Sequence, residues 1–205
     1  FLAVQPSCEF VMTNGALRTL SGHPMAFSVS SNAVCGLYST DFGPDIPSFV
    51  GQGGTFVVDH PSSSYQNDFS PQQDVATTNV TFTLSNHSGA INGIQSRSLF
   101  VGVGNDYNVV GGDRFEWADH LAYWGTGNDC TFNVRDGAQP VLDTSFVAGE
   151  NSSGTNNTLH VRNATLEFGR GAWGASFMAD PGTAKGITIR MSGTNPVIKS
   201  CVPLS

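Results

Sequence analysis

The sequence predicts an all-β chain, a β-sandwich of immunoglobulin-like or jelly-roll type with at most one or two short helices. Three observations predict it. Short runs of Val, Ile, Phe and Thr alternate apolar and polar at period 2, and clusters of Gly, Pro, Asn, Asp and Ser separate them. The length, 205 residues, suits one well-filled sandwich or barrel. Residues 1–205 therefore read as a single β-sandwich domain, with no solenoid period and no linker long enough to mark a second unit.

Taken in order, the expected strands are residues 8–12, 26–30, 55–59, 79–84, 98–103, 130–135, 158–168, 175–179 and 186–191. The clearest alternation is Asn79-Val80-Thr81-Phe82-Thr83-Leu84, which points Val80, Phe82 and Leu84 to one side. Asp136-Gly137 reads as a hairpin turn, because that pair accepts the positive φ values a tight hairpin needs. Residues 61–73 form a polar stretch with two prolines and read as a long surface loop. One helix competes with the strands. Asp113 can cap it with Glu116 three residues on, Gly125 can end it, and Trp117, Leu121 and Trp124 then share a face.

Charge narrows the function. Only 12% of residues are charged, about half the usual share. The net charge of −7 and nine scattered Lys and Arg argue against nucleic acid and against anionic membrane surfaces. No apolar run approaches the roughly 18 residues of a membrane helix. Phe1-Leu2-Ala3-Val4 lacks a basic region and reads as the start of a mature, exported chain. Cys8, Cys35, Cys130 and Cys201 form an even set without a C-x-x-C pair, which suits two disulfides rather than zinc. Of the three possible connectivities, locality favours Cys8 with Cys35 and Cys130 with Cys201. Five N-x-S/T sequons, at Asn79, Asn86, Asn151, Asn156 and Asn163, are compatible with eukaryotic or bacterial export.

Catalytic signatures are sparse. There is no G-x-S-x-G, Gly102-Val103-Gly104 is only a fragment of a dinucleotide motif, and His23, His60, His87, His120 and His160 never form H-x-H or H-x-x-x-H. No catalytic residue, cofactor or metal is expected. Glu116 and Asp119 could approach a glycosidase pair beside Trp117 or Trp124, but acidic pairs on a surface helix are usually just solvated.

Sugar binding asks for less: an aromatic face for the ring, with Asp, Asn and backbone groups for the hydroxyls. Asn105, Asp106, Tyr107, Asn108, Asp113, Trp117, Asp119, His120, Tyr123, Trp124, Asn128 and Asp129 supply that mixture in a short span. Two of the three tryptophans fall in residues 111–130, which therefore read as a ligand wall.

Phe1, Asn105-Asp106-Tyr107-Asn108 with Asp113-Arg114-Phe115, and the closing Ile187-Thr188-Ile189-Arg190-Met191 … Asn195-Pro196-Val197-Ile198 … Val202-Pro203 carry a resemblance. They resemble the receptor-binding lectin domain of chaperone–usher fimbrial tip adhesins. The resemblance implies a β-sandwich, and a mature N-terminal Phe1 whose amine lines a sugar pocket together with the Asn-x-Tyr-Asn run. The chain departs from that family in having about 70 residues after the run, in a longer interval between Asn108 and Asp113, and in a loosely matched Cys8–Cys35 pair.

The expected function is an exported, non-catalytic adhesin-type domain that binds carbohydrate. It would be secreted or displayed at the cell surface, at a fimbrial tip if bacterial. Its implied partners are a carbohydrate or glycoprotein receptor and neighbouring pilus subunits, without nucleic acid or membrane. The alternatives are an N-glycosylated eukaryotic cell-surface or cell-wall structural protein and a carbohydrate-active hydrolase.

Overall fold

The structure is a computed structural model that describes residues 2–17, 25–41, 47–59, 77–86, 91–92, 103–118, 122–123, 128–142, 146–148, 155–168, 178–179, 186 and 188–200. Every regular element among them is a strand. In chain order these are β1 (Leu2–Val4), β2 (Glu9–Thr13), β3 (Met25–Val29), β4 (Val34–Tyr38), β5 (Pro47–Gly51), β6 (Thr55–Asp59) and β7 (Thr81–Ser85). Then follow β8 (Ile91–Asn92), β9 (Asp106–Val110), β10 (Arg114–Ala118), β11 (Ala122–Tyr123), β12 (Thr131–Arg135) and β13 (Gln139–Leu142). The last are β14 (Phe146–Ala148), β15 (Thr158–Arg162), β16 (Thr165–Phe168), β17 (Met178–Ala179), β18 (Thr188–Ser192) and β19 (Val197–Ser200).

All-β is right; the sandwich is not. The strands of each sheet pair in parallel, and the largest sheet takes eight in the order β18-β15-β12-β9-β7-β6-β4-β2. A second sheet runs β19-β16-β13-β10-β8, and two three-stranded sheets are β1-β3-β5 and β11-β14-β17. The chain therefore passes through one strand of each face in turn and returns one rung further along. That is a β-solenoid, whereas immunoglobulin-like sandwiches are antiparallel. Alternation could not separate the two, because a strand with one buried face reads the same in either.

The registers build continuous interior columns. Phe10, Cys35, Phe56, Phe82, Tyr107, Phe132, Leu159 and Ile189 stack in one; Met12, Leu37, Val58, Leu84, Val109, Val134, Val161 and Met191 stack in the next. Most of these side chains are buried, and Phe49 packs edge-on to Phe56 at 5.1 Å and stacks with Phe27 at 5.4 Å. Ile189 and Met191, in the last described rung, are 43% and 47% exposed.

Corners of the coil explain the sequons. Ser7, Asn32, Asn79, Asp129 and Asn156 hold positive φ just before the strands of the eight-stranded sheet, joined there by Gly53, Gly104 and Gly186. A second ladder follows those strands: Asn14, Ser39, Asn86, Gly111, Asp136, Asn163 and Gly193. Asn and Asp tolerate the left-handed region better than other side chains, and Gly does so freely. Four of the five sequon asparagines (Asn79, Asn86, Asn156 and Asn163) thus stand at left-handed corners, while Asn151 lies outside the described residues. At Gly104 the backbone passes so close to the Asn79 amide oxygen that any Cβ would overlap it.

Other expectations are corrected by the same geometry. Asp136 and Gly137 have φ of 56° and 90°, as a hairpin would need, yet they turn β12 into β13, a strand of a different sheet. The helix expected from Asp113 is absent where it can be tested. Arg114–Ala118 pairs with Gln139–Leu142 and Ile91–Asn92, and Ala122–Tyr123 with Phe146–Ala148. Turn-forming Gly111 and Gly112 and the repeating parallel neighbours override the local capping pattern.

The cysteine framework also fails. No disulfide joins Cys8, Cys35 or Cys130 among the described residues, and Cys201 lies outside them. Cys35 points into the interior column between Phe10 and Phe56, whereas Cys8 is exposed before β2, so the strand wall separates them. Burial pushes the Cys35 thiol up to about 12 and raises Cys130 as well.

Candidate functional site

The eight-stranded sheet presents three outward columns to solvent. The first begins with Glu9 and Val34 and continues as Thr55, Thr81, Thr131, Thr158 and Thr188, interrupted by Asp106. Along the second, composition changes. Val11, Gly36, Val57 and Thr83 occupy the early rungs, and Asn108, Asn133, His160 and Arg190 the later ones. The third column runs from Thr13, Tyr38 and Asp59 through Ser85 and Val110 to Arg135, Arg162 and Ser192.

On the later rungs these columns enclose a shallow recess of about 260 Å³, lined by Asn108, Asn133, Arg135, His160 and Arg162. Its walls are hydrogen-bonded into place. Asn108 Nδ2 donates to the Phe82 carbonyl at 3.3 Å, and Asn133 Nδ2 donates to Asn108 Oδ1 at 3.2 Å. His160 Nε2 and Ser192 Oγ lie 2.7 Å apart. At the corner, Asp136 receives Arg135 at 2.7 Å and Arg162 at 3.1 and 3.2 Å. The Arg135 hydrogen bond, with Arg162 beside it, holds the Asp136 carboxyl below its usual range. The His160 imidazole is also held below its ordinary value, first by desolvation and then by the Arg190 and Arg162 charges.

This arrangement offers amide and guanidinium donors on a flat, regular surface. The carboxylate at its corner, Asp136, is held by two arginines, which lower its carboxyl and favour its anionic form. Among the described residues no group of three His, Cys, Asp or Glu side chains is placed to hold a metal ion.

Those of the expected sugar-pocket residues that are described are dispersed. Asp106-Tyr107-Asn108 open β9, so their side chains alternate between the two faces, and Asn105 sits at the corner just before it. Asn105 is 1% exposed and structural: its Oδ1 accepts the Val80 N–H and its Nδ2 donates to the Thr77 carbonyl, each at 3.0 Å. Asn157 repeats the device two rungs on, accepting the Cys130 N–H at 3.0 Å. Tyr107 packs against the core. Asp106 and Asn108 face out, and only Asn108 reaches the recess.

Asn128 and Asp129 are corner residues. Asn128 Oδ1 accepts from the Thr155 N–H and hydroxyl at 3.0 and 2.9 Å, and Asp129 Oδ1 accepts from Asn156 at 3.1 Å. Asp113 is exposed beyond the Gly111-Gly112 corner, on the way to β10 and a different face. Trp117 lies on β10 and Tyr123 on β11, in sheets other than that of the recess. Phe1, Asp119, His120 and Trp124 lie outside the described residues.

Asn133, Arg135, His160, Arg162 and Arg190 were missed. Their signal is the repeated Thr131-Phe132-Asn133-Val134-Arg135 and Thr158-Leu159-His160-Val161-Arg162, whose third and fifth positions face out at the same height on successive rungs. No family model matches the chain, and no curated protein or solved structure matches it either.

Proposed function

We propose that this chain is an exported adhesin-type β-solenoid that binds carbohydrate without catalysis, on the outer face of its eight-stranded sheet. The observation that carries the reading is the recess of Asn108, Asn133, Arg135, His160 and Arg162. Its lining contains no apolar side chain, and planar amides and guanidiniums are the groups that hydrogen-bond hydroxyls and ring substituents. Strands spaced about 4.8 Å apart present the same chemistry repeatedly, which suits a chain-like ligand better than a small compact one.

Free cysteines and corner asparagines remove two of the grounds for export. What supports it now is an outward Thr, Asn and Ser surface on a chain with few charges. Surface labelling of source cells tests display directly: labelled protein is expected, and exclusively internal protein contradicts it.

Glycan-array binding of the chain and of an Asn133→Ala, His160→Ala variant tests the function. Binding to at least one glycan, lost in the variant with the melting temperature kept, is the expected result. Equal binding by both proteins removes the recess from the account.

A further inference from the structure

The chain is acidic overall, with a net charge of −7 and only nine Lys and Arg. Three of those nine, Arg135, Arg162 and Arg190, stand on the outward side of the last three rungs of one sheet. His160 stands among them. On the outward positions of β9, β12, β15 and β18 the sole carboxylate is Asp106, in the first column, at the opposite edge from Arg135 and Arg162.

The registers make this cluster electrostatically unbalanced. Arg135 pairs with Arg162 across adjacent rungs, and His160 with Arg190. Arg135 and Arg162 are like charges directly opposite each other on neighbouring strands, and such charges repel. Asp136 answers the first pair, but it is one carboxylate shared by two guanidiniums. Arg190 has no ion pair among the described residues. An unanswered surplus of cations on an acidic protein is a demand for an anion from outside.

Resting on the carbohydrate reading above, we infer that the ligand is an anionic polysaccharide lying across the rungs of β9, β12, β15 and β18. Arg162 and Arg190 engage its carboxylate or sulfate groups, and Asn108 and Asn133 its hydroxyls. Arg suits both anions because its planar fork donates two parallel hydrogen bonds. The polar recess lacks the aromatic stacking platforms that single-stranded nucleic acid uses and the apolar pocket that anchors a peptide. Asn133 donates to Asn108, which leaves the Asn133 carbonyl oxygen without a partner among the described residues and able to accept a hydroxyl. The positive field is already felt at His160, whose imidazole is held below its ordinary value by desolvation and then by the Arg190 and Arg162 charges.

Binding of the chain to polygalacturonate, dextran sulfate and unmodified dextran, by calorimetry at low and at physiological salt, tests the inference. The glycan-array result on the same preparation serves as reference. Binding to polygalacturonate, to dextran sulfate or to both, weakened by salt, is expected; the polymer preferred assigns carboxylate or sulfate as the group read. An Arg162→Gln, Arg190→Gln variant of unchanged melting temperature should lose at least tenfold in affinity, while Arg114→Gln, on another face, should lose nothing. Salt-insensitive binding confined to neutral glycans overturns the anionic assignment and leaves the carbohydrate reading standing. No binding to any glycan or polymer overturns both. Equal affinity for single-stranded DNA of matched charge also overturns the assignment to polysaccharide.

Discussion

Replacing Gly104 with alanine tests the corner ladder, the feature that most constrains this chain. Gly104 has φ of +67°, and a Cβ built there overlaps Asn79 Oδ1. A left-handed conformation costs an L residue about 1–2 kcal/mol. The overlap adds only about 1 kcal/mol, the low end for overpacking, because the atom met is the far end of the Asn79 side chain, which can turn aside. The expected loss is therefore about 2–3 kcal/mol, or a fall in melting temperature of roughly 2–4 °C per kcal/mol for a chain of this size. Gly137 is the control: its φ is +90°, but nothing lies within 4 Å of a Cβ there. Gly137→Ala should cost only the conformational share. Urea unfolding followed by circular dichroism measures both. Adding Asn79→Gly to Gly104→Ala should recover the contact share, since Gly accepts the φ of 51° at that position. Equal losses at the two glycines, or no recovery in the double variant, would refute the ladder.

Three further outcomes follow from the interior and the face. Asn105→Ala should destabilise by about 2–4 kcal/mol, from a buried N–H and a buried carbonyl left unpaired, without altering glycan binding; chemical denaturation and the array read the two separately. A maleimide reagent should label Cys8 in the native protein and reach Cys35 and Cys130 only on unfolding, and labelling of the buried pair at the rate of Cys8 contradicts their placement.

Acidification should weaken the fold in two steps, both visible in melting temperature against pH. Native His160 is held below its ordinary value, so its contribution is full above about pH 6.5 and is lost as pH falls towards its lower folded value, because the unfolded chain protonates first. Native Asp136 is likewise depressed, so its contribution persists above about pH 3.9 and is lost on further acidification. His160→Gln should abolish the upper step alone.

The strands were far more legible than their arrangement. Thr55–Asp59 is predicted to the residue, and the runs at 130–135 and 186–191 are offset by one or two positions. The alternation that locates them reports one buried face and carries no information on whether neighbours run parallel. Topology was written instead at the corners, where Asn79, Gly104 and Asp129 recur at the 25-residue separation that also links Asn105 to Val80. Read as turn formers and glycan acceptors, those residues hide the repeat.

The candidate site suffered from the same cause. Asn105 and Tyr107 look like neighbours of Asn108 in sequence, but the corner before β9 buries Asn105 and the strand turns Tyr107 to the interior. Arg135 and Arg162 are 27 positions apart and meet only through the register of the coil. Scattered along the sequence, the arginines look like solvated surface; stacked, they form a face.

Distances between nitroxide labels on the outward threonine column test the account most directly, since both the site and its ligand depend on strands stacked in one register. Cysteines placed at Thr55 and, in turn, at Thr81, Thr131, Thr158 and Thr188 mark one, three, four and five rungs of separation. With wild-type Cys8 replaced by serine, electron spin resonance should give separations rising by about 4.8 Å per rung, to roughly 24 Å for the last pair. Distances that fail to rise steadily along the series, as in two facing antiparallel sheets, would contradict the solenoid and with it the binding face.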